Sequence, residues 1–315
     1  MLTGGLLEVN GTRIALDDAG AETCFVSHAH ADHTEAFSKG KRIIASEETF
    51  ALMGKEPHGI RLPRLSLHHA GHMLGARQLR AECDGGVFAY TGDFSLQDSY
   101  TSKAAEFLRC DTLMIDSTYC QPHMRLPARF EVLSSMEKWV KRNSDSVLVF
   151  GAYNSGKAQE LVSFLNRECG IAPVVGERAA KICARYEKCG LRLDYLAAGT
   201  EEANEAMRSR FISLMPPSSV SSAFGASLSN SLGRKVKTAV ATGWAAVCRF
   251  AVDEAFPLSD HADFSETLHY IKQSGAKEVV CANSGAEAAA AALRRQGISA
   301  ATKEEHSKGV QQVLA

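Results

Sequence analysis

Three histidines and one aspartate fall in the segment His28-Ala29-His30-Ala31-Asp32-His33, directly after the run Thr23-Cys24-Phe25-Val26-Ser27. Imidazole and carboxylate together suit zinc, and also manganese or iron. If the preceding run is a strand, His28 and His30 point to one side of its extended end. Asp32 and His33 then turn toward the following helix, so the segment can serve two adjacent metal ions. The plain alternative is a polar loop that holds three of the chain's 11 histidines. Four later positions weigh against it. His72 lies between glycines in Ala70-Gly71-His72-Met73-Leu74-Gly75, where glycine lets backbone approach a site closely. Asp93 follows an apolar strand in Tyr90-Thr91-Gly92-Asp93-Phe94, and Asp116 repeats that pattern in Met114-Ile115-Asp116-Ser117-Thr118-Tyr119. His261 comes late, in Ser259-Asp260-His261-Ala262-Asp263. Taken singly, Asp93 reads as a helix cap and His261 as a surface residue. The ordered set does not read so blandly.

The elements that must position these residues are visible in the patterning. Alternating apolar residues flank Asn10-Gly11 over residues 7–18, a strong hairpin signal. Short strands are expected at 23–27, 41–46 and 61–68, at 78–91 broken by a turn at Asp84-Gly85-Gly86, and at 111–116. Polar residues gather at the strand ends, where a rigid scaffold usually carries its site. Helical periodicity begins near Phe130. Strand–turn–helix units then follow at Ser146–Cys169 and from Ala172, so the middle of the chain reads as a parallel α/β domain. Residues 215–231, with two prolines and many serines, read as a long, locally disordered surface loop. A helix at 265–274, a strand near Val279 and a final helix from Ala286 close the chain. There is no internal repeat.

Composition bounds the rest. The 315 residues are enough for two domains, and 35 basic against 36 acidic residues give a net charge of -1. That excludes a globally basic coat for nucleic acid but not a local basic surface. The nine cysteines are scattered without a C-x-x-C pair, which points to a reducing compartment. No signal peptide and no uninterrupted apolar stretch near ~18 residues is present. A soluble, cytoplasmic protein without a membrane partner is expected.

HAHADH, then AGHMLG, then YTGDF is the motif series of the metallo-β-lactamase superfamily. DSTY, followed far downstream by SDHADF, resembles its β-CASP branch of nucleic-acid-processing nucleases. The resemblance covers nearly the whole chain. It is strongest to short archaeal and bacterial members described as mRNA 3′-end processing factor-like exonucleases. It implies an α/β fold, an αββα sandwich in two parts at 1–120 and 259–315, with a compact β-CASP domain inserted at 121–258. It implies that His28, His30 and His72 hold one zinc, that Asp32 and His33 hold a second, and that Asp93 bridges them. It also gives catalytic roles to Asp32, Asp116 and His261. The implied partner is RNA or single-stranded DNA, and a homodimer is compatible with it.

This chain departs from the pattern in one place. The RNA-cleaving branch has a His-Gly after a late strand, whose histidine is a ligand of the second metal. Here Val280-Cys281-Ala282-Asn283-Ser284-Gly285 puts Ser284 at that place, so the second ion is expected to be weak and tolerant of manganese. His306 is a remote candidate to complete it. Thr118-Tyr119-Cys120-Gln121-Pro122 is similar to the DNA-crosslink-repair and Artemis-like branch, which makes a DNA-repair nuclease the alternative. Arg178, Lys181, Arg185 and Lys188 would share one helix face and could follow a phosphate backbone, or form an ordinary solvated face. Arg234, Lys235 and Lys237 form a second basic patch. Gly151–Lys157 nearly matches a phosphate-binding loop, but Ala158 lacks the hydroxyl that would bind magnesium. A small-molecule hydrolase of the superfamily would need neither the insertion nor the DSTY and SDHADF pair. A non-catalytic subunit is favoured only by Ser284.

Overall fold

The computed structural model describes residues 2–3 and 6–314, and side chains for residues 2 and 6–308. The chain divides into two compact units, residues 1–125 with 261–315, and residues 126–260.

The first unit is built on two sheets. One runs in the order Leu2–Thr3, Leu6–Val9, Thr12–Leu16, Thr23–Phe25, Arg42–Ile44. The expected hairpin is its start: Leu7 pairs with Ile14 and Val9 with Thr12, across Asn10 and Gly11 at φ 49° and 74°. Positive φ at both central residues is what a two-residue hairpin turn requires. The other sheet runs Ala300–Thr302, Glu278–Ala282, Thr112–Asp116, Gly86–Tyr90, Arg77–Cys83, Leu65–His69.

Alternation along each strand sets the layers. Leu7, Ile14, Leu16, Phe25 and Ile44 from the first sheet pack with Leu79, Phe88, Tyr90, Met114 and Val280 from the second. The intervening residues Ala15, Cys24 and Ile43 face the opposite way, onto Ala36 and Phe50 of the short helices Glu35–Ser38 and Glu47–Met53. A strand buried on both faces has to be apolar throughout, as Thr23–Phe25 nearly is. Helix Ala286–Arg295 packs on strands 278–282 and 300–302 through a buried side that includes Ala289, Ala290 and Leu293. The layers are therefore helix, sheet, sheet, helix, the αββα sandwich that the motifs implied.

Strands 12–16 and 23–25 are parallel, as are 86–90, 112–116 and 278–282. Within each set the carboxyl ends emerge on one side. Asp17 and the 27–33 segment follow the first set; Asp93, Asp116 and Asn283 lie at the ends of the second.

The second unit carries a six-stranded sheet in the order Leu196–Ala197, Val174–Val175, Ile212–Met215, Val147–Gly151, Val236–Ala241, Glu254–Phe256. Every pairing in it is parallel. Strand 147–151 is buried at every residue, as a central parallel strand must be. The expected loop over 215–231 is corrected: a turn of 3-10 helix, Pro217–Ser219, leads into an α-helix at Ser222–Leu232. Ser221 caps that helix, its hydroxyl accepting from the Phe224 amide at 3.1 Å. Phe224, Leu228 and Leu232, four residues apart, pack against Val147, Val149 and Val220. The serines lie between these apolar positions and hid the period. Among the described residues no helix is long and apolar enough to cross a membrane.

Candidate metal centre

Strand ends of the first unit converge on a cluster of imidazoles and carboxylates, most of them buried. His28, His30, His72 and Asp93 each offer a ligand atom, all within 4.8 Å of one another; Asp93, Asp116 and His261 do the same. Asp93 Oδ2 is the common point, 3.6 Å from His28 Nε2, 3.8 Å from His72 Nε2 and 3.5 Å from His33 Nε2. His72 Nε2 lies 3.1 Å from His30 Nδ1, and Asp32 Oδ2 lies 3.6 Å from His33 Nε2. A tetrahedral zinc with bonds near 2.0–2.1 Å keeps neighbouring ligand atoms about 3.3 Å apart. The observed separations scatter around that value.

Two glycines make the approach possible. Gly71, at φ 80°, would put a Cβ 2.2 Å from the Ser95 carbonyl oxygen. Gly92, at φ 55°, would put one 2.6 Å from Ser27 Cβ. Each immediately precedes a candidate ligand, His72 or Asp93. A side chain in either place would force the ligand-bearing turn outward.

Asp17 was missed by sequence reasoning. Its carboxylate accepts from the Ser27 amide at 2.6 Å, the Ser27 hydroxyl at 2.7 Å and the Tyr90 hydroxyl at 2.8 Å. It also pairs with His33 Nδ1 at 2.9 Å. These bonds set the tautomers. His33 donates its Nδ1–H to Asp17, so Nε2 faces Asp93 and Asp32. The Ser27 hydroxyl proton goes to Asp17, so Ser27 Oγ accepts from His28 Nδ1–H at 2.9 Å. The Nε2 lone pair of His28 is then directed away from that bond. It is buried and has no hydrogen-bond partner among the described residues. An orphaned imidazole nitrogen beside a carboxylate fits a metal ligand.

The electrostatics agree. Burial and then the surrounding imidazoles hold His28 well below its usual pKa, which keeps it neutral as a ligand must be. Burial acts in the same direction on His33, but Asp17, Asp93 and Asp32 outweigh it and raise His33 to about 9. Burial and then Asp116 push Asp93 up to about 7, against His261 and His33. A pocket that strains to stay neutral, yet lines up carboxylates around one imidazole, is suited to a bound cation.

Replacing Asp17 by Asn keeps its size but removes the charged acceptor that orients His33 and, through Ser27, His28. Carboxylates that orient metal-ligating histidines are typically worth about 10–100-fold in metal affinity or activity. The expected loss in Asp17→Asn is of that size, measured by chelator competition. Unchanged metal retention would remove Asp17 from the site.

Beside this cluster, His261 Nδ1 meets Asp116 Oδ2 at 2.8 Å. Asp116 Oδ1 accepts from the Thr118 amide at 3.0 Å and its hydroxyl at 2.7 Å. Burial alone would raise the Asp116 carboxyl, but His261 and Thr118 bring it down to about 2. Tyr119 lies against His261, with ring centroids 5.6 Å apart.

The end of the C-terminal strand corrects one expectation. Ser284 is exposed, and the side chain there that reaches the cluster is Asn283. His306 does not complete the site: its Nε2 lies 3.6 Å from Glu278. In the second unit, Arg178, Lys181 and Lys188 are exposed on helix Glu177–Lys188, opposite buried Ala179, Cys183 and Tyr186; Arg185 is half-buried. Lys181 is paired with Glu177 at 2.6 Å. Lys235 and Lys237 pair with Asp145 and Asp253, and Arg234 bonds to the carbonyls of Met207 and Ser209. The second basic patch is thus engaged internally. The phosphate-loop resemblance dissolves as well. Lys157 is buried and donates to Glu160 at 2.9 Å and Asp260 at 2.6 Å, beside an Arg129–Glu160 ion pair.

No protein-family model matches the chain. It is 29% identical over 298 residues to a probable DNA ligase of Opitutus terrae, covering 88% of this chain and 28% of that protein. It is 28% identical over 182 residues to the 5′ exonuclease Apollo of Gallus gallus, covering 49% and 39% respectively. It is 25% identical over 203 residues to an RNase J-like protein of Methanocaldococcus jannaschii, covering 53% and 48%. The chain thus spans under half the length of these curated relatives. Among solved structures, a protein of unknown function from Enterococcus faecalis V583 shares the fold, with a TM-score of 0.56 at 12% identity over 84% of this chain and 76% of that one.

Proposed function

We propose that the chain is a zinc-dependent nuclease of the β-CASP group of the metallo-β-lactamase superfamily that hydrolyses phosphodiester bonds, a reading supported by its similarity to the 5′ exonuclease Apollo and an RNase J-like protein. The observation that carries this reading is the Asp116–His261 pair set directly beside the His28, His30, His72 and Asp93 group. A small-molecule hydrolase needs the metal group alone. An anionic leaving oxygen calls for the second pair as well.

In this reading His28, His30 and His72 hold one ion, Asp32 and His33 a second, and Asp93 serves both. When bound, the ions supply Lewis acidity toward a phosphate oxygen and lower the pKa of the attacking water. The chain's own groups do the rest. Asp116 accepts the His261 Nδ1 proton and fixes the ring, so that Nε2 is the nitrogen that exchanges a proton with the leaving oxygen. Asp17 and Ser27 hold His28 and His33 in the ligating tautomer. The β-CASP insertion expected at 121–258 is proposed to be the compact unit at 126–260. The proposed location is the cytoplasm, where cysteines scattered without a paired framework remain thiols.

Of the two nucleic acids, DNA is favoured and RNA is the second reading. The match covering 88% of this chain lies within a protein called a probable DNA ligase, and Thr118-Tyr119-Cys120-Gln121-Pro122 is similar to the DNA-crosslink-repair branch. An RNase J-like relative and the AGHMLG and SDHADF segments support RNA. The test is cleavage of end-labelled single-stranded DNA and RNA of one sequence by the metal-loaded protein. Faster cleavage of DNA is expected; faster cleavage of RNA reverses the order, and cleavage of neither rejects the nuclease.

The stripe on helix Glu177–Lys188 is the proposed path of the strand. Reversing charge at Lys181 and Arg185 together is expected to weaken substrate binding and flatten its salt dependence, by about 0.7 in slope per lost phosphate contact. A titration of affinity against salt measures it. An unchanged slope would leave the stripe as a solvated face.

A further inference from the structure

Asp93 and Asp116 are two carboxylates in one buried cluster, 6% and 3% exposed. Each has a different task for its Oδ2. Asp93 turns that oxygen to three imidazoles, and Asp116 turns its own to His261. Neither orientation is set by the backbone alone, since a carboxylate rotates readily about its terminal torsion. The repulsion between the two groups would favour turning or protonating one of them.

Asn283 sits where that conflict can be resolved. Its Nδ2 donates to Asp93 Oδ1 at 2.8 Å and to Asp116 Oδ1 at 3.2 Å. An amide NH2 has two protons and no charge, one for each carboxylate. The donor arrives from the carboxyl end of strand 278–282, whose Ala282 pairs with Asp116 in parallel register. The chain turns there through φ 67° at Asn283, a conformation in which asparagine is among the few enriched side chains. Aspartate would tolerate the turn but offers acceptors where donors are needed.

We propose that Asn283 is a positioning residue that clamps Oδ1 of Asp93 and Oδ1 of Asp116, so that one Oδ2 stays on the metal ligands and the other on His261. The clamp links the metal centre to the proton-transfer pair. It stands at the strand end where the sequence resemblance sets a ligating histidine, and it acts on the ligand rather than as one. The part concerning His261 rests on the nuclease reading; the part concerning metal retention does not.

The test is Asn283→Gly, which tolerates the positive φ and deletes the side chain with its amide. Asn283 is exposed, so the deletion opens no core cavity. Zinc retention is measured by chelator competition and is expected to fall about 10–100-fold, the usual effect of losing a partner of a metal ligand. If the wild type cleaves nucleic acid, kcat should fall in the same range with KM little changed. The loss in kcat should shrink when the same change is made in His261→Ala, because one arm of the clamp then has nothing left to position. Asn283→Ser, which also lacks the two-proton donor, serves if the glycine variant does not fold. Wild-type zinc retention in the variant that folds overturns the proposal, and so does a kcat loss of equal size in both backgrounds. A wild type that cleaves nothing rejects the nuclease reading, while the zinc measurement still decides the clamp.

Discussion

Asp93→Asn is expected to lose bound metal and to bring phosphodiester cleavage down to background. The substitution changes one oxygen to an amide nitrogen, yet that carboxylate lies within 4 Å of ring nitrogens of His28, His33 and His72 together. In the proposed centre it would supply the negative charge that neutral imidazole ligands cannot, and it is placed to serve both ions. Its own condition shows the demand. Burial and Asp116 push the carboxyl to about 7, so near neutral pH it gains most from a cation. An amide would also turn a donor toward ligating nitrogens or toward the Asn283 amide. Metal per chain, measured by elemental mass spectrometry alongside the cleavage rate, checks it. Full metal content with full activity would remove Asp93 from the centre. His30→Ala should behave in the same way through the His30–His72 edge.

His261→Ala is expected to separate chemistry from metal binding. The ring is held by Asp116 at 2.8 Å and packed between His72 and Tyr119, with centroids at 4.6 and 5.6 Å. It is about one-fifth exposed, unlike the fully buried His28. A group that exchanges a proton with the leaving oxygen contributes about 100- to 10,000-fold. The variant should lose turnover in that range while keeping its metal and its melting temperature. A variant that sheds its metal would make His261 a ligand, and one with an unchanged rate would make it a bystander.

The candidate ligands were legible in the sequence because they sit beside the strands that carry them. HAHADH follows strand Thr23–Phe25 within a few residues, and Asp116 ends its own strand. Residue type and strand period were enough there. Asp17 and Asn283 were not legible for the opposite reason. Asp17 acts on a histidine 16 residues away, and Asn283 on carboxylates 190 and 167 residues away. Only the parallel pairing of strands brings those ends together. Asp17 directly follows a strand, much as Asp116 ends one, and that was the available signal. Ser284 drew attention because sequence spacing alone cannot say which residue of a turn faces inward. Lys157 shows the same limit: a glycine-rich turn before a helix fixes the backbone, but Glu160 and Asp260 decide where the ammonium goes. The helix at Ser222–Leu232 was hidden because serine content was weighed before the four-residue spacing of Phe224, Leu228 and Leu232.

The most direct measurement is cleavage of end-labelled single-stranded DNA and RNA by one preparation, first stripped by chelator and then reloaded with zinc or manganese. The expected result is cleavage that vanishes on stripping, returns on reloading, and does not return in Asp93→Asn. Undiminished cleavage by the stripped protein, or none by the reloaded one, would contradict a metal-dependent nuclease.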